Sequence, residues 1–82
     1  RLTAAMEKFA PDLIMISAGF DSRIDDPLGR FRLTDSDFVT LTQILCELAD
    51  KHCKGRVVSV LEGGYNLNGL ARAVTHHLET LL

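Results

Sequence analysis

Two short β-branched runs, Asp12-Leu-Ile-Met-Ile-Ser17 and Arg56-Val-Val-Ser-Val-Leu61, constrain the fold of this chain more than any other feature. Neither shows the strict polar alternation of a strand with one wet face. Such runs read as strands buried on both faces, the signature of a parallel sheet covered by helices. The segments around them carry helical periodicity. Leu2, Ala5, Met6 and Phe9 share one face, and Pro11 ends that helix because the residue before a proline avoids helical angles. Thr34 reads as an N-cap with Asp35 and Asp37 in the first turn. Phe38, Leu41, Leu45, Leu48, Ala49 and His52 then form a stripe running to about Cys53, with Gly55 at the C′ position. Leu70, Ala71, Val74, Leu78 and Leu81 mark a last helix, with Asn68 as its N-cap.

Helix, strand, long loop, helix, strand, short loop, helix is an α/β order with right-handed crossovers. Two strands do not make a stable parallel sheet alone. At 82 residues, starting on Arg1 rather than methionine, the chain is expected to be a fragment of a larger domain. No linker, repeat or second domain is visible within it.

Apolar residues make up 46% of the chain, which excludes intrinsic disorder. The net charge is −2 and the basic residues are scattered, so direct nucleic-acid binding is not expected. No apolar run approaches the roughly 20 residues of a membrane span, and the first residues do not read as a basic start followed by an apolar signal segment. Cys46 and Cys53 lie two helical turns apart, about 10 Å of rise, too far for a bridge. Free thiols point to a reducing, cytoplasmic compartment, or a nuclear one in a eukaryote.

Open parallel sheets bind ligands beyond the carboxyl ends of their strands. That rule selects Ala18-Gly-Phe-Asp-Ser22, which opens the long loop 18–33, and Glu62-Gly-Gly-Tyr65. If the strands are neighbours, Asp21, Glu62 and Tyr65 share one rim. A carboxylate can ligate a divalent metal. A tyrosine phenol, ordinarily ionising near pH ~10, can donate a hydrogen bond to an oxyanion. By chemistry alone an aspartate after a strand more often solvates or caps its loop than ligates a metal, and Gly-Gly-Tyr alone is a weak signal.

Taken together, Ser17-Ala-Gly-Phe-Asp21, Asp26-Pro-Leu-Gly29, Leu33-Thr34 and Leu61-Glu-Gly-Gly-Tyr-Asn66 resemble the C-terminal part of the zinc-dependent histone deacetylase family, over residues 11–82. That family includes acetylpolyamine amidohydrolases and bacterial deacetylase-like proteins. The resemblance implies a three-layer, arginase-like α/β fold with a parallel sheet, of which residues 1–82 supply two strands and three helices. Asp21 matches a zinc ligand. Tyr65 matches the tyrosine that hydrogen-bonds the acetyl oxygen and steadies the tetrahedral intermediate. Gly63 and Gly64 match glycines lining the acyl-lysine tunnel. Phe20 and Leu28 are expected in the loop that shapes the pocket rim. Asp26 matches a recurrent, loop-organising aspartate, and Glu62 is expected to fix the glycine turn by a hydrogen bond. The Glu-Gly-Gly-Tyr form resembles the class II and bacterial branch. Asp25 departs from the glycine or small residue expected before Asp26.

The function so implied is zinc-dependent hydrolysis of an N-acetyl amide by the intact domain, with acetyl-lysine in a protein or peptide as substrate. Apolar Leu28 suits an acyl-lysine stem. A small acetylated amine such as an acetylpolyamine is the second reading, and a non-catalytic scaffold the third. An arginase-like ureohydrolase would need a two-metal Asp/His cluster that these motifs lack. The Asp-x-His pair and His-His dyad of the family have no match here, so this chain alone is expected to be inactive. His76-His77 is no substitute: inside a helix the two rings point about 100° apart. One is expected to pack and the other to be solvated. His52 is expected to be solvated at its helix end. Cys46 and Cys53 read as packing residues, and Arg30 and Arg32 as solvated loop arginines.

Overall fold

The computed structural model describes residues 1–82. Helix α1 spans Leu2–Phe9, strand β1 Ile14–Ala18, helix α2 Asp35–His52, strand β2 Val57–Leu61 and helix α3 Leu67–Leu81. A 3-10 turn covers Phe20–Ser22. The strands pair in parallel, from Ile14 opposite Val57 to Ala18 opposite Leu61. β1–α2–β2 is therefore one βαβ unit.

The helix ends follow their local chemistry. Thr34 and Asp37 form a capping box, with the Asp37 carboxylate accepting the Thr34 N–H at 2.8 Å. Ala10, before Pro11, sits in the left-handed region at φ 51° and its N–H closes α1 onto Met6. Past α2, Lys54 and Gly55 both take positive φ. Helix α3 starts earlier than its sequence suggests. Asn66, not Asn68, is the N-cap, its side-chain oxygen accepting the Gly69 N–H at 2.9 Å. Both asparagines lie ahead of the apolar stripe, and the tertiary position of the preceding loop selects between them.

All three helices lie on one face of the sheet. Ile14 packs with Leu48, Ala49 and Cys53, and Met6 of α1 leans on that group. Ala18, Phe20, Phe38 and Ala73 form the second half of the core. The buried face of α3 is Gly69, Ala73 and His77, while Ala71 and Leu78 are exposed. On α2, Thr42 is buried and Leu41 is exposed. The opposite face of the sheet is open: Met15, Val58 and Val60 are exposed. The expectation of strands buried on both faces is thus met on one face only. Apolar content on both faces records what a strand can be covered by, and these residues supply two of the three layers.

Candidate active site

β1 and β2 end side by side, so the loops after Ala18 and Leu61 leave from one rim. Two backbone bonds extend the pairing into the loops. The Glu62 N–H donates to the Ala18 carbonyl at 3.0 Å, and the Phe20 N–H donates to the Gly63 carbonyl at 2.8 Å. The Ser22 hydroxyl donates to the Gly19 carbonyl at 3.1 Å and closes the turn that carries Asp21.

The Asp21 carboxylate is half-buried and accepts no hydrogen bond from the chain. It lies against Gly63: a Cβ there would sit 3.0 Å from the Asp21 Cγ and 3.1 and 3.2 Å from its oxygens. A side chain at that position would press on the carboxylate, which would have to give by a few tenths of an ångström. Gly64 adopts φ +147° beside Phe20 and Leu70. Two carboxylate oxygens free of protein donors, held against a neighbouring loop, suit one ligand of a divalent metal. No group of three or more His, Cys, Asp or Glu gathers here to form a complete cage. The donor set therefore fits one ligand of a divalent-metal site, with the further ligands needed from elsewhere.

Asp26 is 8% exposed and ties the two loops together. Its Oδ1 accepts the N–H groups of Leu28 and Gly29 at 2.8 and 2.9 Å. Its Oδ2 accepts the N–H of Tyr65 at 2.7 Å. Burial opposes its charge, but the backbone donors of Tyr65, Gly29, Leu28 and Asn66 outweigh that and hold the carboxyl below its ordinary range. Asn66 adds a second tie, its side-chain amide donating to the Asp25 carbonyl at 3.2 Å.

Tyr65 is half exposed, with no hydrogen bond to its phenol oxygen from the chain, and Leu28 is exposed on the same loop system. Phe20 departs from expectation. Its ring is 4% exposed and packs on Phe38 at 5.3 Å and edge-on to His77 at 5.6 Å. The 3-10 turn points Phe20 into the core and leaves Asp21 at the rim, so Phe20 supports the site from beneath. Glu62 also differs: its side chain is exposed and makes no hydrogen bond, and its backbone N–H anchors the turn instead.

His77 is the packed histidine of the pair, and His76 is half exposed. The Thr42 hydroxyl donates its one proton to the Phe38 carbonyl at 2.6 Å. Thr42 Oγ1 must therefore accept from His77 Nδ1, 2.8 Å away, which assigns the Nδ1–H tautomer. His77 Nε2 then accepts from the Ser59 hydroxyl at 2.9 Å. Burial lowers the pKa of His77 and keeps the ring neutral. His52 is half-buried with its Nε2 enclosed and unpartnered, not solvated as its helix-end position suggests.

Sequence reading passes over Arg23. Its side chain is 8% exposed and makes a two-pronged pair with Asp35, at 2.8 and 3.1 Å, and a further ion pair with Asp25. The hydrogen bonds from Arg23 hold both aspartates below the ordinary carboxylate range. The one available signal was Asp25 itself, whose acidity departs from the motif and is explained by Arg23.

A family model described as "Histone deacetylase domain" matches residues 1–81. The chain is 41% identical to Type-2 histone deacetylase 2 of Dictyostelium discoideum, covering 100% of the chain and 5% of that protein. It is 49% identical to Polyamine deacetylase HDAC10 of Homo sapiens, covering 92% of the chain and 11% of that protein. The crystal structure of the HDA15 HD domain superposes with a TM-score of 0.87 at 37% identity, over 99% of this chain and 22% of that one. The chain therefore spans under a quarter of the length of these relatives.

Proposed function

Because this chain belongs to the histone deacetylase domain family, we propose that it forms part of a zinc-dependent amide hydrolase, with acetyl-lysine in a protein or peptide as substrate. The observation that carries the reading is the closure of the two motif loops on each other. Gly63 lies against the Asp21 carboxylate, and the Tyr65 backbone is bonded to the loop that follows Asp21.

Asp21 supplies one carboxylate ligand, and the remaining ligands and the proton-handling histidines come from the rest of the domain. Zinc, when bound, supplies Lewis-acid polarisation of the acetyl carbonyl. The Tyr65 phenol donates a hydrogen bond to the oxygen on which negative charge develops. A donor already aimed at that oxygen costs no reorganisation during reaction. Gly63 and Gly64, lacking side chains, leave room for the acyl stem, and exposed Leu28 offers it an apolar rim. Phe20 holds the Asp21 turn from below through its packing on Phe38 and His77. Eighty-two residues with one metal ligand are inactive alone in this reading.

The test is acetate release from an acetyl-lysine peptide by the intact zinc-loaded domain, with Tyr65→Phe beside it. Loss of one oxyanion donor costs about 10² to 10³ in rate. A Tyr65→Phe enzyme with full turnover would remove Tyr65 from the mechanism. A second reading, a small acetylated polyamine, is favoured by the 49% identity to a protein named as a polyamine deacetylase. Apolar Leu28 argues against it, because a cationic substrate gains nothing from that rim. Comparing kcat/KM for acetyl-lysine peptide and acetylputrescine decides between them. A zinc-free, inactive intact domain would support the scaffold reading.

A further inference from the structure

We propose that Asp26 is a positioning residue for Tyr65: its carboxylate sets the register between the loop that bears Asp21 and the backbone that aims the phenol. The inference rests on the reading of Tyr65 as the oxyanion donor.

Nothing in the chain fixes the phenol end of Tyr65. The side chain is 52% exposed and its oxygen has no hydrogen-bond partner within the chain. Within this chain its direction is set only from the backbone, and that backbone follows two glycines with no side chains to pack. The Asp26 Oδ2 supplies the missing constraint through the Tyr65 N–H at 2.7 Å. The carboxylate is itself immobilised, since its Oδ1 accepts the Leu28 and Gly29 N–H groups of its own loop at 2.8 and 2.9 Å. One buried side chain thus receives three backbone donors from two loops. Asp26 lies five residues after Asp21 in the same loop, so a shift of that loop carries the tyrosine with it. Small displacements of a positioned group cost catalysis heavily, on the order of 10² for 1 Å.

Asparagine at this position keeps the shape and loses one acceptor. A carboxamide has a single acceptor oxygen, so donors on both sides cannot be satisfied together. Turned to keep Leu28 and Gly29, its NH2 meets the Tyr65 N–H donor to donor.

The experiment is a double-mutant cycle in the intact zinc-loaded domain, using Asp26→Asn, Tyr65→Phe and the pair, with zinc content and thermal midpoint measured for each. Asp26→Asn is expected to lower kcat roughly 10- to 100-fold with KM for the acetyl-lysine peptide held within about threefold, since the phenol acts chiefly on the transition state. Tyr65→Phe is then expected to cost only roughly 10-fold more in the Asp26→Asn background, against about 10² to 10³ in the wild type, because a mis-aimed phenol has less left to lose. Should Asp26→Asn fail to fold, Asp26→Glu enters the same cycle. It keeps the charge and the acceptors but lengthens the tether, and the same non-additivity is expected. A full Tyr65→Phe penalty in the mutant background would overturn the proposal, because a merely structural Asp26 gives additive losses. A Tyr65→Phe enzyme undiminished on its own would instead remove the oxyanion reading, and it is recognised before Asp26 is altered.

Discussion

Single side chains do different work on this rim from what their chemical type suggests. Asp21 and Asp26 are both carboxylates five positions apart. One has its oxygens free of protein donors, and the other spends them on three backbone N–H groups. The difference follows from the turn at Phe20–Ser22, which presents Asp21 outward and lets Asp26 fold inward. Gly29 belongs to the same arrangement: a Cβ at that position would fall on the Asp21 carbonyl oxygen. Backbone against backbone cannot yield as a flexible side chain can. Gly29→Ala is expected to destabilise the domain by about 1 to 3 kcal/mol, read from the urea midpoint, with zinc affinity falling as the Asp21 turn is displaced. An unchanged midpoint would show that the loop relaxes freely.

The elements are held to one another by polar contacts as well as by apolar packing. Arg23 joins the long loop to the first turn of α2 through Asp35, with Arg72 of α3 4.0 Å from the same carboxylate. Arg23→Met leaves Asp35 without its two-pronged partner, but partly solvated and with Arg72 4.0 Å away, and is expected to cost about 1 to 3 kcal/mol in unfolding free energy. His77 joins α3 to α2 through Thr42 and to β2 through Ser59. Its folded pKa is lowered by burial, so the unfolded chain binds the proton more readily. Stability is therefore expected to fall as pH drops below the ordinary histidine value of about 6.5. Asp35, whose pKa is depressed chiefly by the hydrogen bond from Arg23, contributes stability above the usual carboxylate range and loses it as pH falls through its lowered value. Urea unfolding at pH 7 and pH 5 should show the first loss in the wild type and a smaller one in His77→Asn.

Across the whole molecule, the three helices cover one face of a two-stranded sheet. Met15 is 68% exposed, Val60 48% and Val58 44% on the other face, and both sheet edges are unpaired. Exposed apolar strands with open edges are a template for association. The isolated 82-residue chain is expected to aggregate or bind a hydrophobic dye, while the intact domain stays monodisperse and dye-free. A soluble, monomeric, dye-free isolated chain would show that this face needs no cover.

Residue order alone determined the element sequence, the parallel-sheet class and the identity of the two rim loops, while the direct pairing of β1 with β2 was decided by the tertiary structure. The first three depend on local signals: β-branched runs, helical periodicity, and glycine motifs at strand ends. The N-cap at Thr34 was legible for the same reason, and the structure completed it as a capping box with Asp37. The sequence also carried the family resemblance, through motifs spread over residues 11–82, and the family model matches residues 1–81. Tertiary structure decided which way side chains turn. It buried Phe20, left the Glu62 side chain in solvent, placed polar Thr42 and His77 in the core, and exposed Leu41 and Leu78. Periodicity counts apolar residues and cannot see that a histidine is welcome where a hydroxyl flanks each ring nitrogen. It also cannot see Arg23, which has one partner 2 positions away in its own loop and meets the other, 12 positions away, only once α2 has folded back over the loop. The carboxylate of Asp26 meets the Tyr65 amide across 39 positions of chain, and that contact exists only because the two strands end on the same rim.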